Sequence, residues 1–213
     1  MNQTLPLFDD FVDAGMRCDP SSDAVTVVSG QLSEAPGLAY EAEFITPAEE
    51  RVLLWHADAG EWSDYWSRRT QFYGIKYNRG TGRIDSTQEG KALPSWCESV
   101  SRRLVDHGFL NRMPNQIGVN EYLPGQGIAS HVDYLNGAVI SLSLGSGCVM
   151  DITEPRSRRK VSLWLAPRSI VVLSGTVRNV WEHGIARRLK DIVDGRPINR
   201  GRRVSITFRD VNI

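Results

Sequence analysis

The sequence predicts an α+β fold in which two helices come first and a β-sandwich or jelly-roll barrel follows. Two observations carry this prediction. Two segments with helix start and stop signals lie before Asn115. After Asn115, six short β-rich runs follow, separated by Gly, Pro or polar turns.

The chain has 213 residues, which favours one main domain. Residues 1–36 are acidic, broken by Pro and Gly, and predicted to form an N-terminal arm with one short strand at AVTVV. Residues 37–213 are predicted to form the folded domain.

The first helix is predicted in ITPAEERVLLWHADAG. Thr46 suits the N-cap, Pro47 suits the first helical position, Glu49 completes a capping box and Gly60 can end the helix. Trp55 is expected in the core. The second helix is predicted in PSWCESVSRRLVDHG, between Pro94 and Gly108, and the segment between the helices is predicted to be a short hairpin or loop.

The six predicted strands share short length and β-branched or alternating character. In chain order they are QIGVNEY, AVISLSLG, CVMDI, KVSLWLA, SIVVLSG and RVSITFRDV.

Composition excludes several classes of protein. Lys plus Arg equals Asp plus Glu, at 25 each, so net charge indicates no partner. The cysteines, Cys18, Cys97 and Cys148, are odd in number and form no CxxC pair, which predicts reduced thiols. Neither a signal peptide nor a long apolar run is evident, so we expect a cytoplasmic protein without a membrane partner, and a monomer.

His131 and Asp133 are two residues apart, so in an extended segment their side chains point the same way. His183 follows a predicted strand 50 residues beyond Asp133, and antiparallel pairing can bring the two sites together. Two histidines and a carboxylate that leave open metal positions are typical of non-haem Fe(II) oxygenases. The HxD pair alone is a weak signal, and a polar turn is the alternative.

The last strand strengthens the metal interpretation. Arg203 and Arg209 are six residues apart and therefore share one face, together with Thr207. Inward-facing guanidiniums are costly unless an anion pairs with them, and arginine binds carboxylates bidentately. Asn120 and Tyr122 can add hydrogen bonds from another strand, whereas internal pairing with Asp or Glu is the alternative.

These residues resemble the AlkB-type Fe(II)/2-oxoglutarate dioxygenases. The resemblance rests on N-x-Y-x-P-G-x-G-I-x-x-H-x-D at 120–133, on His183, and on R-x-S-x-T-F-R at 203–209. It implies a double-stranded β-helix, a relative of the jelly roll, with the helices packed on one face. It also implies that His131, Asp133 and His183 bind Fe(II).

The resemblance further implies a binding site for 2-oxoglutarate. Arg203 and Tyr122 would hold its distal carboxylate, and Arg209 and Asn120 would lie near its iron-chelating end. The remaining residues predicted to bind the cosubstrate lie on the same strand as the arginines and are Ser205 and Thr207.

The implied activity is oxidative demethylation of alkylated bases in DNA or RNA, as in alkylation repair, with O2 consumed and formaldehyde, succinate and CO2 released. Many repair members resemble R-x-N-x-T-F-R, whereas Ser205 stands here, and ISLSLGSGCVMDI is similar to the branch with a tRNA wobble-uridine hydroxylase. That relative carries RNA-recognition and methyltransferase domains, for which this chain has no room. We therefore expect a stand-alone nucleic-acid demethylase.

Three alternatives stay open: hydroxylation of a modified tRNA base, oxidation of a protein or small molecule, and a non-enzymatic β-sandwich binding module. The last would leave the inward arginines and the His/Asp set unexplained.

Substrate contacts are predicted from chemistry alone. Nucleic-acid binding requires cations near phosphates and a surface that stacks on a flipped base. The basic run in a predicted hairpin suits phosphates, although such runs are often only solvated, and Arg187, Arg188 and Lys190 are a second basic cluster. The residues predicted to contact substrate are Tyr73, Tyr77, Tyr134, Leu135, Arg156, Arg158 and Arg159.

Overall fold

The structure is a computed structural model that describes residues 29–33, 35–64, 67–78, 83–84, 90–133 and 137–211. Its helices are α1 (Pro47–Ala59), α2 (Glu98–Asp106) and α3 (Gly175–Val180), with a 3₁₀ turn at Ser95–Cys97. Its strands are β1 (Ser29–Gln31), β2 (Leu38–Glu41), β3 (Thr70–Gly74), β4 (Tyr77–Asn78), β5 (Arg83–Ile84), β6 (Gln116–Tyr122), β7 (Ile128–His131), β8 (Val139–Gly145), β9 (Cys148–Thr153), β10 (Lys160–Leu165), β11 (Ile170–Leu173), β12 (Glu182–Ile185), β13 (Lys190–Val193), β14 (Arg196–Asn199) and β15 (Arg203–Arg209).

The helix α1 confirms the predicted capping box. The Thr46 side chain accepts a hydrogen bond from the Glu49 amide at 3.2 Å, and the Glu49 carboxylate accepts one from the Thr46 amide at 2.7 Å. The prediction that Trp55 is buried is wrong, because its side chain is 67% exposed. The helix turns Leu53 and Ala57 toward the core, and a residue two positions after Leu53 points to the opposite side.

All six predicted strands are present, as β6, β8, β9, β10, β11 and β15. The second predicted helix is present as the 3₁₀ turn and α2. The segment between the two helices contains the expected short hairpin, β4 with β5, but it also contains β3, which joins the main sheet. The predicted AVTVV strand lies outside the described residues, whereas the adjacent β1 pairs with β2. The boundary between arm and domain at residue 36 stays a prediction.

Two sheets face each other across a core. The seven-stranded sheet has the order β1-β2-β11-β8-β15-β6-β3, and the four-stranded sheet has the order β10-β9-β12-β7. Apolar residues of both sheets pack together between them, including Tyr40, Val139, Leu163 and Leu173. This is the double-stranded β-helix, and the predicted fold class is confirmed.

The seven-stranded sheet separates α1 and α2 from the space between the sheets. Val204, Ile206 and Phe208 of β15 pack against the same core as Leu53 of α1 and Leu104 of α2. Because successive residues of a strand alternate between faces, the odd-numbered residues of β15 face the other sheet. The N-terminal helices α1 and α2 therefore pack on one face, as expected, and the functional residues lie on the opposite face.

Cys97 and Cys148 are free and buried, as predicted, and Cys18 lies outside the described residues. Burial raises the pKa of Cys148 and holds its thiol protonated. Among the described helices, none is both long and apolar enough to cross a membrane. The cytoplasmic location and the monomeric state stay predictions.

Two glycines allow β7 and β12 to approach closely. A Cβ atom on Gly127 would lie 2.1 Å from the carbonyl oxygen of Ile185, and one on Gly184 would lie 3.0 Å from the backbone of Ser130. These glycines precede His131 and follow His183, so the close approach governs the separation of the two histidines.

We predict that Gly127→Ala forces these strands apart. The added methyl group meets backbone that cannot rotate away, so we expect a loss of about 1–3 kcal/mol in the free energy of unfolding, measured by urea denaturation. Gly201→Ala is the matched control, because its Cβ would meet only the Ser146 side chain at an ordinary 3.4 Å. Equal stability of the two variants would contradict the close-approach explanation.

Candidate metal centre and cosubstrate pocket

A cavity of about 130 Å³ lies between the two sheets and contains the residues singled out by the sequence motifs. Its lining combines polar and charged residues with apolar ones. The polar and charged residues are Arg68, Asn120, Tyr122, His131, Asp133, Ser141, His183, Arg203, Ser205, Thr207 and Arg209. The apolar residues are Phe72, Ile128, Val139, Met150, Val171, Leu173 and Ile185.

His131, Asp133 and His183 form one ligand group in this cavity. His131 ends β7 and is paired directly with His183 of β12, and Asp133 follows two residues after His131. The Asp133 carboxylate lies 3.9 Å from Nε2 of His131 and 3.7 Å from Nε2 of His183. One ligand atom from each residue lies within 4.8 Å of the others, so a single metal ion can bind all three.

The electrostatics of the group suit a metal. Burial lowers the pKa of His131 and lowers the pKa of His183 to about 4, so both rings are neutral at neutral pH and offer lone pairs. Burial alone would raise the pKa of Asp133, but the charge of Arg209 and the neighbouring histidines outweigh it, and the pKa lies below its ordinary value. Two neutral imidazoles and one carboxylate anion are the ligand set of non-haem iron oxygenases.

Neighbouring groups fix the orientation of two of these ligands, His131 and Asp133. Nδ1 of His131 lies 2.8 Å from the carbonyl oxygen of Ala129, which directs Nε2 toward Asp133. Arg209 donates to Asp133 Oδ1 at 3.3 Å, and Arg178 of α3 donates to the Asp133 carbonyl oxygen at 2.9 Å. Oδ2 of Asp133 is buried and accepts no hydrogen bond from the residues that the structure describes. A buried carboxylate oxygen without a donor is costly, and a bound cation would satisfy it, so the residues fit a metal ion.

Arg203 supplies a second unsatisfied group in the same cavity. It is only 2% exposed, and its Nη2 donates to Ser143 Oγ at 2.9 Å. Its Nε and Nη1 have no hydrogen-bond partner in the described part of the chain, and its guanidinium lies 5.3 Å from the centre of the Tyr122 ring. A carboxylate that accepts two parallel hydrogen bonds matches these free donors.

Strand register explains why the predicted cosubstrate residues lie together. Ser205 is paired with Asn120 on one side and with Ser143 on the other, and Arg203 is paired with Tyr122. Paired residues in neighbouring strands point to the same face. The structure therefore brings Asn120, Tyr122, Arg203, Ser205, Thr207 and Arg209 to one cavity wall.

Tyr73 is not brought to the cavity. Its ring packs edge-on against Trp96, with ring centres 6.4 Å apart, and its hydroxyl donates to Gln71 Oε1 at 2.7 Å. The alternation of β3 is the cause, because Phe72 faces the cavity and Tyr73 therefore faces the helices.

The other predicted substrate residues are placed differently. Tyr134, Leu135 and the side chain of Tyr77 lie outside the described part of the structure. Arg156, Arg158 and Arg159 lie in the exposed turn between β9 and β10 and do not line the cavity. The guanidinium of Arg159 lies 5.8 Å from the centre of the Trp181 ring, two residues before His183.

Arg68, Phe72 and Arg178 are among the residues near the site that the sequence analysis does not predict. Arg68 and Phe72 line the cavity, and a period-two interpretation of RRTQFYG as a strand would have found both. Arg178 lies in the six-residue helix α3, and a helix this short carries no periodic signal that predicts it.

Comparison with known proteins assigns the chain to a family. Residues 55–209 match the family model described as the 2OG-Fe(II) oxygenase superfamily. The protein from Xenopus tropicalis named tRNA (carboxymethyluridine(34)-5-O)-methyltransferase alkbh8 is 30% identical over 200 residues, which is 83% of this chain and 32% of the relative. The protein from Arabidopsis thaliana named Alkylated DNA repair protein ALKBH8 homolog is 32% identical over 213 residues, which is 88% of this chain and 61% of the relative.

The chain thus spans about a third to three fifths of the length of these two relatives. Among solved structures, that of OsALKBH1 superposes with a TM-score of 0.64 and 17% identity, covering 84% of this chain and all of that one, which supports the fold. The family resemblance inferred from the motifs is confirmed. The chain therefore belongs to the AlkB-type 2OG-Fe(II) oxygenases, and it is a dioxygenase that uses Fe(II), 2-oxoglutarate and O2.

Proposed function

We propose that this protein oxidises a modified base in nucleic acid with Fe(II) bound by His131, Asp133 and His183. The observation that carries the proposal is that this ligand group shares one cavity with the buried, partly unpaired guanidinium of Arg203. Either feature alone suits many activities. Together they suit an oxygenase that binds a dicarboxylate cosubstrate beside its metal.

When bound, Fe(II) and 2-oxoglutarate supply the oxidising chemistry, in which O2 is consumed, the cosubstrate becomes succinate and CO2, and one oxygen atom enters a substrate C–H bond. The residues of the chain bind and orient the cosubstrate and the substrate. Arg203 and Tyr122 would hold the distal carboxylate of 2-oxoglutarate, and Arg209 and Asn120 would lie near its iron-chelating end. The apolar residues of the cavity would exclude water from the reacting atoms.

The substrate class we favour is an alkylated base in DNA or RNA. Phe72 presents an aromatic ring to the cavity, where a flipped base could stack. The exposed turn that contains Arg156, Arg158 and Arg159 could follow the phosphate backbone. If the oxidised carbon is a methyl group on a base nitrogen, the hydroxymethyl product breaks down to formaldehyde and the restored base. This is the chemistry of alkylation repair, and the name of the Arabidopsis relative supports it.

A second candidate is hydroxylation of a modified tRNA base without formaldehyde release. The observation that favours it is the name of the Xenopus relative, which refers to a carboxymethyluridine at tRNA position 34. Since this chain spans 32% of that relative, the activity of the whole relative does not carry over directly.

Nucleoside mass spectrometry separates the two candidates. Purified protein is incubated with Fe(II) and 2-oxoglutarate, and with either methylated oligonucleotides or total tRNA. We expect loss of methyl groups from the oligonucleotides together with formaldehyde. Gain of one oxygen atom in a tRNA nucleoside, without formaldehyde, identifies the second candidate. Unchanged nucleosides in every sample contradict both.

We predict that Asp133→Ala lowers succinate formation by about a hundredfold or more, because the only anionic ligand of the proposed metal site is lost. Equilibrium dialysis with Mn(II) should show the loss of metal binding directly, while circular dichroism shows an intact fold. Asp106→Ala, at the exposed end of α2, is the matched control and should retain both binding and turnover. Full turnover by Asp133→Ala would mean that the metal assignment is wrong.

We predict that Arg203→Met raises the KM for 2-oxoglutarate by about ten- to a hundredfold, because hydrogen bonds to a charged group are lost. Arg203→Lys should recover only part of the affinity, since lysine cannot donate bidentately. The KM is measured by succinate release. An unchanged KM in both variants would remove Arg203 from the cosubstrate site.

A further inference from the structure

Arg68 is a charged residue that lines the same cavity and has no role in the proposed binding of iron or 2-oxoglutarate. It lies just before β3, and β3 pairs antiparallel with β6 so that Thr70 is opposite Asn120. Arg68 lines the cavity, and so does Phe72 of β3. The guanidinium of Arg68 lies 5.5 Å from the centre of the Tyr122 ring, which also contacts Arg203.

Arg68 differs from its neighbour in having no anionic partner. Arg69 points to the other face and forms a bidentate ion pair with Glu121, with two N–O distances of 2.7 Å. For Arg68, no hydrogen bond or ion pair occurs within the described part of the chain, and its Nε is buried without an acceptor. A buried donor without a partner is destabilising, so the position is poorly explained by folding alone.

The charge of the cavity remains positive when the cofactors are counted. Among the described residues, its charged lining consists of three arginines and one aspartate. Fe(II) adds two positive charges, and 2-oxoglutarate adds two negative ones. Two positive charges are therefore in excess with both bound. The free donors of Arg203 already match the distal carboxylate, which leaves Arg68 available for another anion.

We propose that Arg68 binds an anionic oxygen group of the substrate and so selects the substrate by charge. This inference rests on the proposed function. The group is a phosphate next to the target nucleotide or a carboxylate carried by the target base, since both present oxygens that a guanidinium can bind in a fork.

Binding measured without turnover tests this inference. Protein loaded with Mn(II) and 2-oxoglutarate under argon is titrated against three fluorescein-labelled RNA pentamers, and fluorescence anisotropy gives each Kd. The first pentamer is all-uridine with ordinary phosphodiesters. The second has uncharged methylphosphonates on both sides of its central uridine. The third is the second with 5-carboxymethyluridine at its centre.

The variants are Arg68→Met, Arg68→Lys and the control Arg51→Met. Arg51 is exposed on α1, on the other side of the sheet, and its replacement makes the same change in net charge. Arg68→Met removes an unsatisfied donor, so its melting temperature should equal or exceed that of the wild type.

If a phosphate is the ligand, Arg68→Met binds the first pentamer about tenfold or more weakly than the wild type does, and the second equally. If a base carboxylate is the ligand, the wild type prefers the third pentamer to the second, and Arg68→Met abolishes that preference. In either case the Kd of Arg68→Lys lies between that of the wild type and that of Arg68→Met. The Kd of Arg51→Met equals that of the wild type.

The inference is overturned if Arg68→Met binds all three pentamers as the wild type does, or if the wild type binds none. It is also overturned if Arg68→Met leaves pentamer binding unchanged but weakens the binding of 2-oxoglutarate, because Arg68 would then hold the cosubstrate. Failure of the proposed function is a separate result: Arg68-dependent binding without any oxidised nucleoside contradicts the oxidation and leaves the anion site standing.

Discussion

The pairing of β7 with β12 is the constraint on which the site depends. It places His131 opposite His183, and the short step from His131 to Asp133 then completes the ligand group. The pairing requires two backbones to lie closer than a side chain would permit, which explains the glycines at 127 and 184. The glycine-rich stretch before His131 therefore determines the geometry of the metal site as well as the turn.

A second constraint is the two-sided character of β15. One face carries Val204, Ile206 and Phe208 into the core with the helices, so the opposite face must point between the sheets. Burying the guanidinium groups of Arg203 and Arg209 on this face would lower the stability of a protein that bound no anion there. The guanidinium of Arg209 forms an ion pair with Asp133, whereas Nε and Nη1 of Arg203 have no acceptor among the described residues. The strand thus lowers stability locally to create a site for an anion.

The residues predictable from sequence were those whose chemistry is unusual where it stands. Polar and charged groups in β-rich sequence are costly to bury, and this makes His131, Asp133, His183 and the arginines of the last strand predictable. The residues that contact substrate carry no such signal, and residue type alone favours Tyr73. Its position in β3 faces the helices, and only a strand assignment would have selected Phe72 instead. The capping residues predict where α1 begins, but they do not predict which side of the helix faces the core, and the exposure of Trp55 depends on that.

We propose that one metal ion and one dicarboxylate bind together in a single cavity between these two sheets. A crystal structure of the protein with Mn(II) and 2-oxoglutarate, phased by the anomalous signal of the metal, is the decisive experiment. The account predicts one metal peak about 2.0–2.3 Å from His131, Asp133 and His183, with a carboxylate of the cosubstrate hydrogen-bonded to Arg203. A metal peak away from these three residues, or a cosubstrate that does not contact Arg203, would contradict it.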